Sequence, residues 1–155
     1  MSDIKWDSRS VRTENAPTAK ASGPAPERDL GQRRARAAWR WVEEGLPLGE
    51  KYGILTQKLS SYLQVSGLGQ TFAFLYGRGY DRGFPMNGSA HGLLLKQLGE
   101  YLKEYTKRSR PDPMENLLSL TPAEYRAVTQ ELMAVAEWLK RFAEGRLGGD
   151  TEEEL

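Results

Sequence analysis

Apolar residues recur along this chain at steps of three and four, the spacing that gathers them on one face of an α-helix. Over residues 29–44 that face takes Leu30, Ala37, Ala38, Trp41 and Val42, with Asp29 suited to the N-cap and Gly45 to closing the end. Over residues 48–64 it takes Tyr52, Leu55, Leu59, Tyr62 and Leu63, and over residues 89–107 it takes Leu94, Leu98, Tyr101, Leu102 and Tyr105. The run Arg108-Ser109-Arg110-Pro111-Asp112-Pro113 then interrupts the helix, and a short helical turn is expected over residues 114–120. Thr121-Pro122-Ala123-Glu124 is a strong start signal: a capping Thr, Pro at the first helical position and Glu three residues after the cap. From there Tyr125, Val128, Leu132, Val135, Leu139 and Phe142 hold the step up to Gly145. No stretch alternates with the period of a strand. The pattern predicts an all-α fold, a single globular bundle of about six helices.

One segment departs from this amphipathic rule. From Leu68 to Tyr76 the chain carries Leu68, Phe72, Phe74, Leu75 and Tyr76 and no charge, so it is apolar nearly all the way round. A helix without a polar face belongs at the centre of its domain, with the others packed around it. Gly67 is placed to end the helix before it, and Gly69 to let a neighbouring backbone come close. These residues organise the fold, so function is expected on the helices that wrap them.

Composition changes the picture mainly by exclusion. At 155 residues and 17.5 kDa the chain is one domain's worth, with 39% hydrophobic and 28% charged residues, ordinary for a soluble protein with polar flanks. There is no cysteine and one histidine, which removes disulfides and thiol catalysis and leaves no set for a transition metal. No Ser/His/Asp set, no acidic cluster with metal-site spacing and no phosphate-binding Gly-Lys-Ser/Thr loop is present, so neither an enzyme nor a cofactor is expected. No apolar run reaches the ~18 residues of a membrane span, and the polar N-terminus lacks a signal-peptide core; the expectation is a cytoplasmic protein with no membrane partner. Residues 1–28, rich in Pro, Ala and Ser, read as a flexible arm, residues 29–146 as the helical domain and residues 147–155 as an acidic, disordered tail. Trp6 in the arm is either a docking anchor or a loosely packed ring.

The net charge of +1 hides local asymmetry. Arg33, Arg36 and Arg40 fall at steps of three and four, a basic stripe about two turns long that suits a phosphate backbone, or else a solvated face with Arg36 or Arg40 pairing to Glu43 or Glu44. Lys51 and Lys58 lie two turns apart and either extend this surface or are ordinary exposed lysines. Between Gly77 and Gly88, Arg78 and Arg82 alternate with Tyr80 and Phe84 in a glycine-punctuated loop. The loop suits stacking and phosphate contact with single-stranded RNA, or a connection whose rings tuck onto the core. Lys140 and Arg141 suit either RNA or the helix C-terminal dipole, and His91 reads as a surface or capping residue.

Two strings carry a resemblance. Gly67-Leu68-Gly69-Gln70-Thr71-Phe72-Ala73-Phe74-Leu75 resembles the central motif of the small, all-helical subunit of the type III-B CRISPR effector, the Cmr complex, and Trp138-Leu139-Lys140-Arg141-Phe142-Ala143-Glu144-Gly145 resembles that family's closing motif. Their order and spacing fit, and the resemblance runs over residues 30–145, with Phe72 where an aliphatic residue is expected. It implies a non-catalytic subunit of an RNA-guided antiviral complex. Such a subunit stacks in the inner filament beside the guide RNA–target RNA duplex and touches neighbouring copies of itself, the backbone subunits and the large subunit. Cleavage and signalling belong to other subunits. It implies nothing about the N-terminal arm or the glycine-rich loop. The alternatives are a helical protein–protein adaptor without nucleic-acid contact, and the small subunit of the related type III-A complex.

Overall fold

The computed structural model describes residues 26–108 and 110–148, so Trp6, most of the N-terminal arm and the acidic tail beyond Gly148 lie outside the described residues. In chain order the elements are helix α1 (Pro26–Gly45), a 3-10 turn (Leu46–Leu48), α2 (Glu50–Gly79), strands β1 (Tyr80–Asp81) and β2 (Phe84–Pro85), α3 (Ala90–Thr106), α4 (Pro113–Leu118) and α5 (Pro122–Leu147). The fold is all-α, and the two arms of a kinked α2 account for the six helices that the periodicity implies. By its contacts the chain divides into two units, residues 1–33 and 34–155. Of the first, the described part is the opening of α1, where Asp29 and Arg33 are exposed and Leu30 is half-buried. Asp29 is not the N-cap: the helix starts at Pro26, whose fixed φ and missing N–H suit a first turn.

In the second unit, α2 is the hub, packing chiefly on α5 and α3. Its bend has a local cause. Gly67 holds φ 85° and ψ 169°, which breaks the hydrogen-bond ladder and separates the arm before it from the arm after it. The break frees the amide of Gly69, and the hydroxyl of Tyr125 on α5 accepts from it at 2.8 Å. What comes close to Gly69 is therefore this hydroxyl, not a backbone: a Cβ there would stand 3.1 Å from it.

Tyr52, Leu55, Leu59 and Leu63 of the first arm are buried, as are Leu68, Thr71, Phe72 and Leu75 of the second, with Phe72 fully enclosed. The second arm is not buried all round, however. Ala73 is exposed, Tyr76 is half-buried, and Phe74 keeps 36% of its surface in solvent. Leu94, Leu98, Tyr101 and Leu102 line the inner face of α3, whereas Tyr105, expected with them, is exposed near the helix end. On α5 the stripe Val128, Leu132, Val135 and Leu139 is buried as the step predicts, with Tyr125 and Phe142 at its half-buried ends.

Start and stop signals fix the lengths. Thr121 and Glu124 form the reciprocal capping box of α5: the Thr hydroxyl accepts from the Glu124 amide, and the Glu carboxylate accepts from the Thr121 amide. The bond from the Thr121 backbone is the main reason that the Glu124 carboxyl sits below its usual range, ahead of Arg108 nearby. The helix passes Gly145 and stops at Gly148, whose φ of 72° a side chain would resist. Asp112 caps α4 through the amides of Met114 and Glu115.

The segment expected to be a long loop is mostly ordered structure. α2 continues to Gly79, and Tyr80 pairs with Pro85 and Asp81 with Phe84 across a two-residue turn. Arg82 and Gly83 both take positive φ (54° and 89°), the requirement of the tight hairpin turn whose twist matches its strands. Tyr80 packs on the core and stacks on Tyr76, while Phe84 stays 74% exposed.

Two buried polar groups tie the helices together. The Tyr52 hydroxyl donates to Gln97, whose amide donates to the Trp41 carbonyl and to Glu44, linking α2, α3 and α1. Glu131, only 3% exposed on α5, accepts two bonds from the Arg34 guanidinium (2.7 and 3.0 Å) and one from the Tyr101 hydroxyl (2.6 Å).

Candidate nucleic-acid interface

The basic residues singled out by sequence are spread over α1, α2, the hairpin and α5. Arg36 and Arg40 are exposed on α1 and enter no ion pair among the described residues. Arg40 nevertheless borders a cleft of about 240 Å³ that it shares with Glu100, Lys103 and Glu104 of α3. Acidic residues thus face Arg40 across the helix interface, and among the described residues no ion pair joins it to Glu43 or Glu44. Arg33 is exposed in the first unit. Arg82 is at the hairpin tip, exposed and at positive φ.

Lys51 and Lys58, by contrast, share one site, and Arg78 lies behind its ring wall. Lys51 and Lys58 lie seven residues apart on the outer face of the first arm of α2, both exposed. They border a concave site of about 440 Å³ with Ile54, Leu55 and Tyr62 of the same arm. The opposite wall is Gly88, Ser89, Ala90 and His91, the first turn of α3 with its cap. Ser89, not His91, is that cap, its side chain accepting from the Gly92 amide at 2.9 Å.

Behind the walls the rings touch. Phe74 meets Tyr62 edge-on (centroids 5.5 Å, 61°) and His91 likewise (5.5 Å, 74°). The Arg78 guanidinium lies over the Phe74 ring, 5.3 Å from its centroid, one turn further along the helix. Burial first, and the Arg78 charge second, hold the His91 imidazole below its ordinary value, so near neutral pH it is an uncharged ring. None of the residues lining this site is acidic.

The width of the site depends on two glycines. A Cβ on Gly79 would collide with the backbone of Gly92, and one on Gly92 with the Gly79 carbonyl, so only glycine at both positions lets the end of α2 touch the start of α3. The Met86 amide donates to the same Gly79 carbonyl at 2.8 Å, which pins the hairpin exit to this crossing.

Sequence reasoning missed Tyr62, Phe74 and His91 as a set. The periodicity assigned the first two to the core, and the histidine had no motif around it. The one readable signal was Phe74 and Arg78 at a spacing of four, where a ring and a guanidinium on one helix meet.

A second cluster of rings lies on α1 and α5. Trp39 meets Phe142 edge-on at 5.2 Å, Phe142 meets Trp138 at 5.7 Å, and Arg146 lies 4.8 Å over the Trp39 ring. Trp39 and Trp138 remain 43% and 40% exposed. Lys140 is half-buried and Arg141 exposed on the same helix, set back from its end by the further turn to Leu147. A third cleft, of about 330 Å³ between the hairpin and α3–α4, mixes Lys96, Lys103 and Arg110 with Glu100 and Asp112. Tyr80 borders it, its hydroxyl pushed up to about 12 by burial. Among the described residues no group of His, Cys, Asp or Glu has the arrangement of a metal site, and no helix is long and apolar enough to cross a membrane.

Comparison with known proteins adds what geometry cannot. No curated protein matches the chain. The family described as CRISPR-associated protein (Cas_Cmr5) matches residues 30–146, most of the chain and all but the opening turn of the helical part. Among solved structures, the X-ray structure of a CRISPR-associated Cmr5 family protein from Thermus thermophilus is similar, with 28% identity and a TM-score of 0.53. The similarity covers 76% of this chain and 96% of that one. The two quoted motifs at residues 67–75 and 138–145 lie inside the matched region, so the chain belongs to the Cmr5 family of CRISPR-associated proteins, subunits of the type III-B Cmr complex.

Proposed function

We propose that the protein is a non-catalytic structural subunit of the type III-B effector, stacking with copies of itself in the inner filament and contacting the guide and target RNA through a basic surface. One observation carries the RNA part: Lys51 and Lys58 border a concave site with the half-buried rings of Tyr62 and His91 and no lining carboxylate, and Arg78 lies behind it over the Phe74 ring. Cations without acidic neighbours attract phosphate more strongly than a mixed surface does, because the local field and not the total charge acts on the strand. Arg36 and Arg40 are secondary contacts in this reading, since Glu100 and Glu104 offset the field beside Arg40. Arg33, Arg82, Lys140 and Arg141 remain candidates for the edges of the RNA path.

The test is the double charge reversal Lys51→Glu with Lys58→Glu. Both residues are exposed on a helix, and Glu propagates a helix about as well as Lys, so the fold should survive. RNA affinity should fall, and the milder Ala pair should flatten the log–log salt dependence by about 0.7–0.9 per lost contact. Parent affinity and slope in both variants would defeat the RNA assignment. Purified protein should also leave RNA intact with magnesium or manganese, and cleavage abolished by one substitution would refute a non-catalytic role.

The reading as a protein adaptor without RNA contact has its own observation in the exposed Trp39–Trp138 patch, because large rings left in solvent are common at protein interfaces. Under it, Trp39→Ser with Trp138→Ser would remove the subunit from the complex while the lysine variants assembled normally.

A further inference from the structure

The concave site between α2 and α3 is more than a place where phosphates are attracted. We propose that it seats one unpaired nucleobase of an RNA strand, with Tyr62 and His91 as its ring walls and Lys51 and Lys58 holding the flanking phosphates. The inference deepens the RNA-contact reading and rests on it.

Three features point to a base and not to phosphate alone. The volume of about 440 Å³ is within the range of roughly 300–1,000 Å³ that small-ligand sites occupy, large for a phosphate and sufficient for a base with part of its ribose. Between the lysines the lining carries Ile54, Leu55 and Ala90, apolar surface that suits a ring, beside the Ser89 cap of α3. The two rings are held in place, because each leans edge-on against Phe74, whose ring also lies under the Arg78 guanidinium. A preset ring loses little freedom when a base stacks on it.

The strand must be single at that point. In an A-form duplex the base faces are already covered by their neighbours, so ring walls can be used only by a base that has left the stack. Every base has a π-face, so the seat should accept any of the four with modest preference. The charged groups around His91 are Lys51, Lys58 and Arg78, with no carboxylate among the lining residues, which favours an uncharged imidazole ready to stack near neutral pH.

The experiment uses the full chain and two probes of one sequence, a fluorescently labelled 12-nucleotide single-stranded RNA and the fully paired duplex, with affinity read by anisotropy. Tyr62→Leu and His91→Leu remove a ring while keeping bulk; Tyr62→Phe and His91→Phe keep a ring. The leucine variants should bind the single strand about tenfold more weakly, the duplex as the parent does, and both with an unchanged salt slope. The phenylalanine variants should bind like the parent, which separates a lost ring from a lost fold. Leucine variants that bind the single strand at parent affinity overturn the base seat; if the Lys51→Glu, Lys58→Glu pair still weakens both probes, RNA contact stands without it. Equal loss on strand and duplex, or loss in the phenylalanine variants, also overturns the seat. If neither the ring variants nor the lysine pair alters binding, the RNA-contact reading falls and the seat falls with it.

Discussion

Two places on this protein pair exposed rings with a cation, and they differ in what surrounds the pair. At Phe74, with Arg78 above it, the neighbouring rings Tyr62 and His91 open onto a hollow edged by Lys51 and Lys58. At Trp39, with Arg146 above it, the neighbouring ring is Phe142, which itself packs on Trp138. The first set keeps ring surface turned toward a space of ligand size. The second spends its ring contacts on itself and leaves two tryptophan flanks in solvent. A guanidinium over a ring is therefore uninformative by itself. Concavity and uncommitted positive charge suit a nucleotide, whereas a ring cluster closed on itself suits another protein surface.

The comparison breaks most completely if the support common to both places is removed. Leu75 is fully buried in the second arm of α2, next to Phe74 in sequence, on the helix that packs against α5. Leu75→Asp would bury a carboxylate with no partner, costing several kcal/mol against a typical total stability of about 5–15. Circular dichroism and a melting curve should show an unfolded chain; a parent-like transition would mean that this arm is not central.

A smaller change should separate the two places. Arg34 and Glu131 clamp α1 to α5, the helices that carry the Trp39 and Trp138 rings, and neither residue lines the hollow. Arg34→Ala removes the two guanidinium bonds that reach the buried Glu131 carboxylate. A loss of about 3 kcal/mol is expected, the low end for a broken buried pair because Arg34 retains some solvent. Denaturant titration would measure this. RNA affinity below the transition should stay near the parent's, and a proportional loss would couple the two places.

The α1 arginines sharpen the contrast further. Arg36→Glu with Arg40→Glu should change stability by no more than about 0.5 kcal/mol, since both are exposed helix positions. It should lower RNA affinity less than reversal of Lys51 and Lys58, because Glu100 and Glu104 already oppose Arg40. A larger effect on α1 than on α2 would move the main RNA surface to α1.

The smallest effect is a pH dependence. The folded His91 imidazole has a depressed pKa, so between its folded and unfolded values the unfolded chain binds more protons and stability rises with pH. Acidification from pH 7 through the ordinary imidazole range should therefore destabilise the parent, with no further contribution from this group below the folded value. His91→Phe should remove that component of the pH profile; a profile unchanged by the substitution would mean that His91 is not the group responsible.

How much of this was legible in the chain depended on whether the signal was local. The α5 start was readable because a capping box involves only Thr121 to Glu124. The break at Gly67 was readable because glycine permits a φ that other residues resist. The hairpin was not, since its turn places Arg82 at positive φ where Asn or Asp is the usual sign. The ring site was the least legible. Tyr62, Phe74 and His91 come from three places in the sequence, and helical period assigns an apolar residue to a face without saying whether the face reaches the edge of the packing. The same limit explains Tyr105, which keeps the apolar step yet stays 39% exposed near the end of α3.

The crossing of Gly79 over Gly92 gives the hollow an adjustable screw. Its far wall is the first turn of α3, and that turn stands where it does because two hydrogen atoms replace two methyl groups. A single added carbon at Gly92 would not touch Lys51, Lys58 or either ring wall, yet it would push the wall outward and tilt every atom riding on it. The gap can thus be widened through a position that no inspection of the lining would pick out, and an engineer wanting a wider aperture would begin at this crossing.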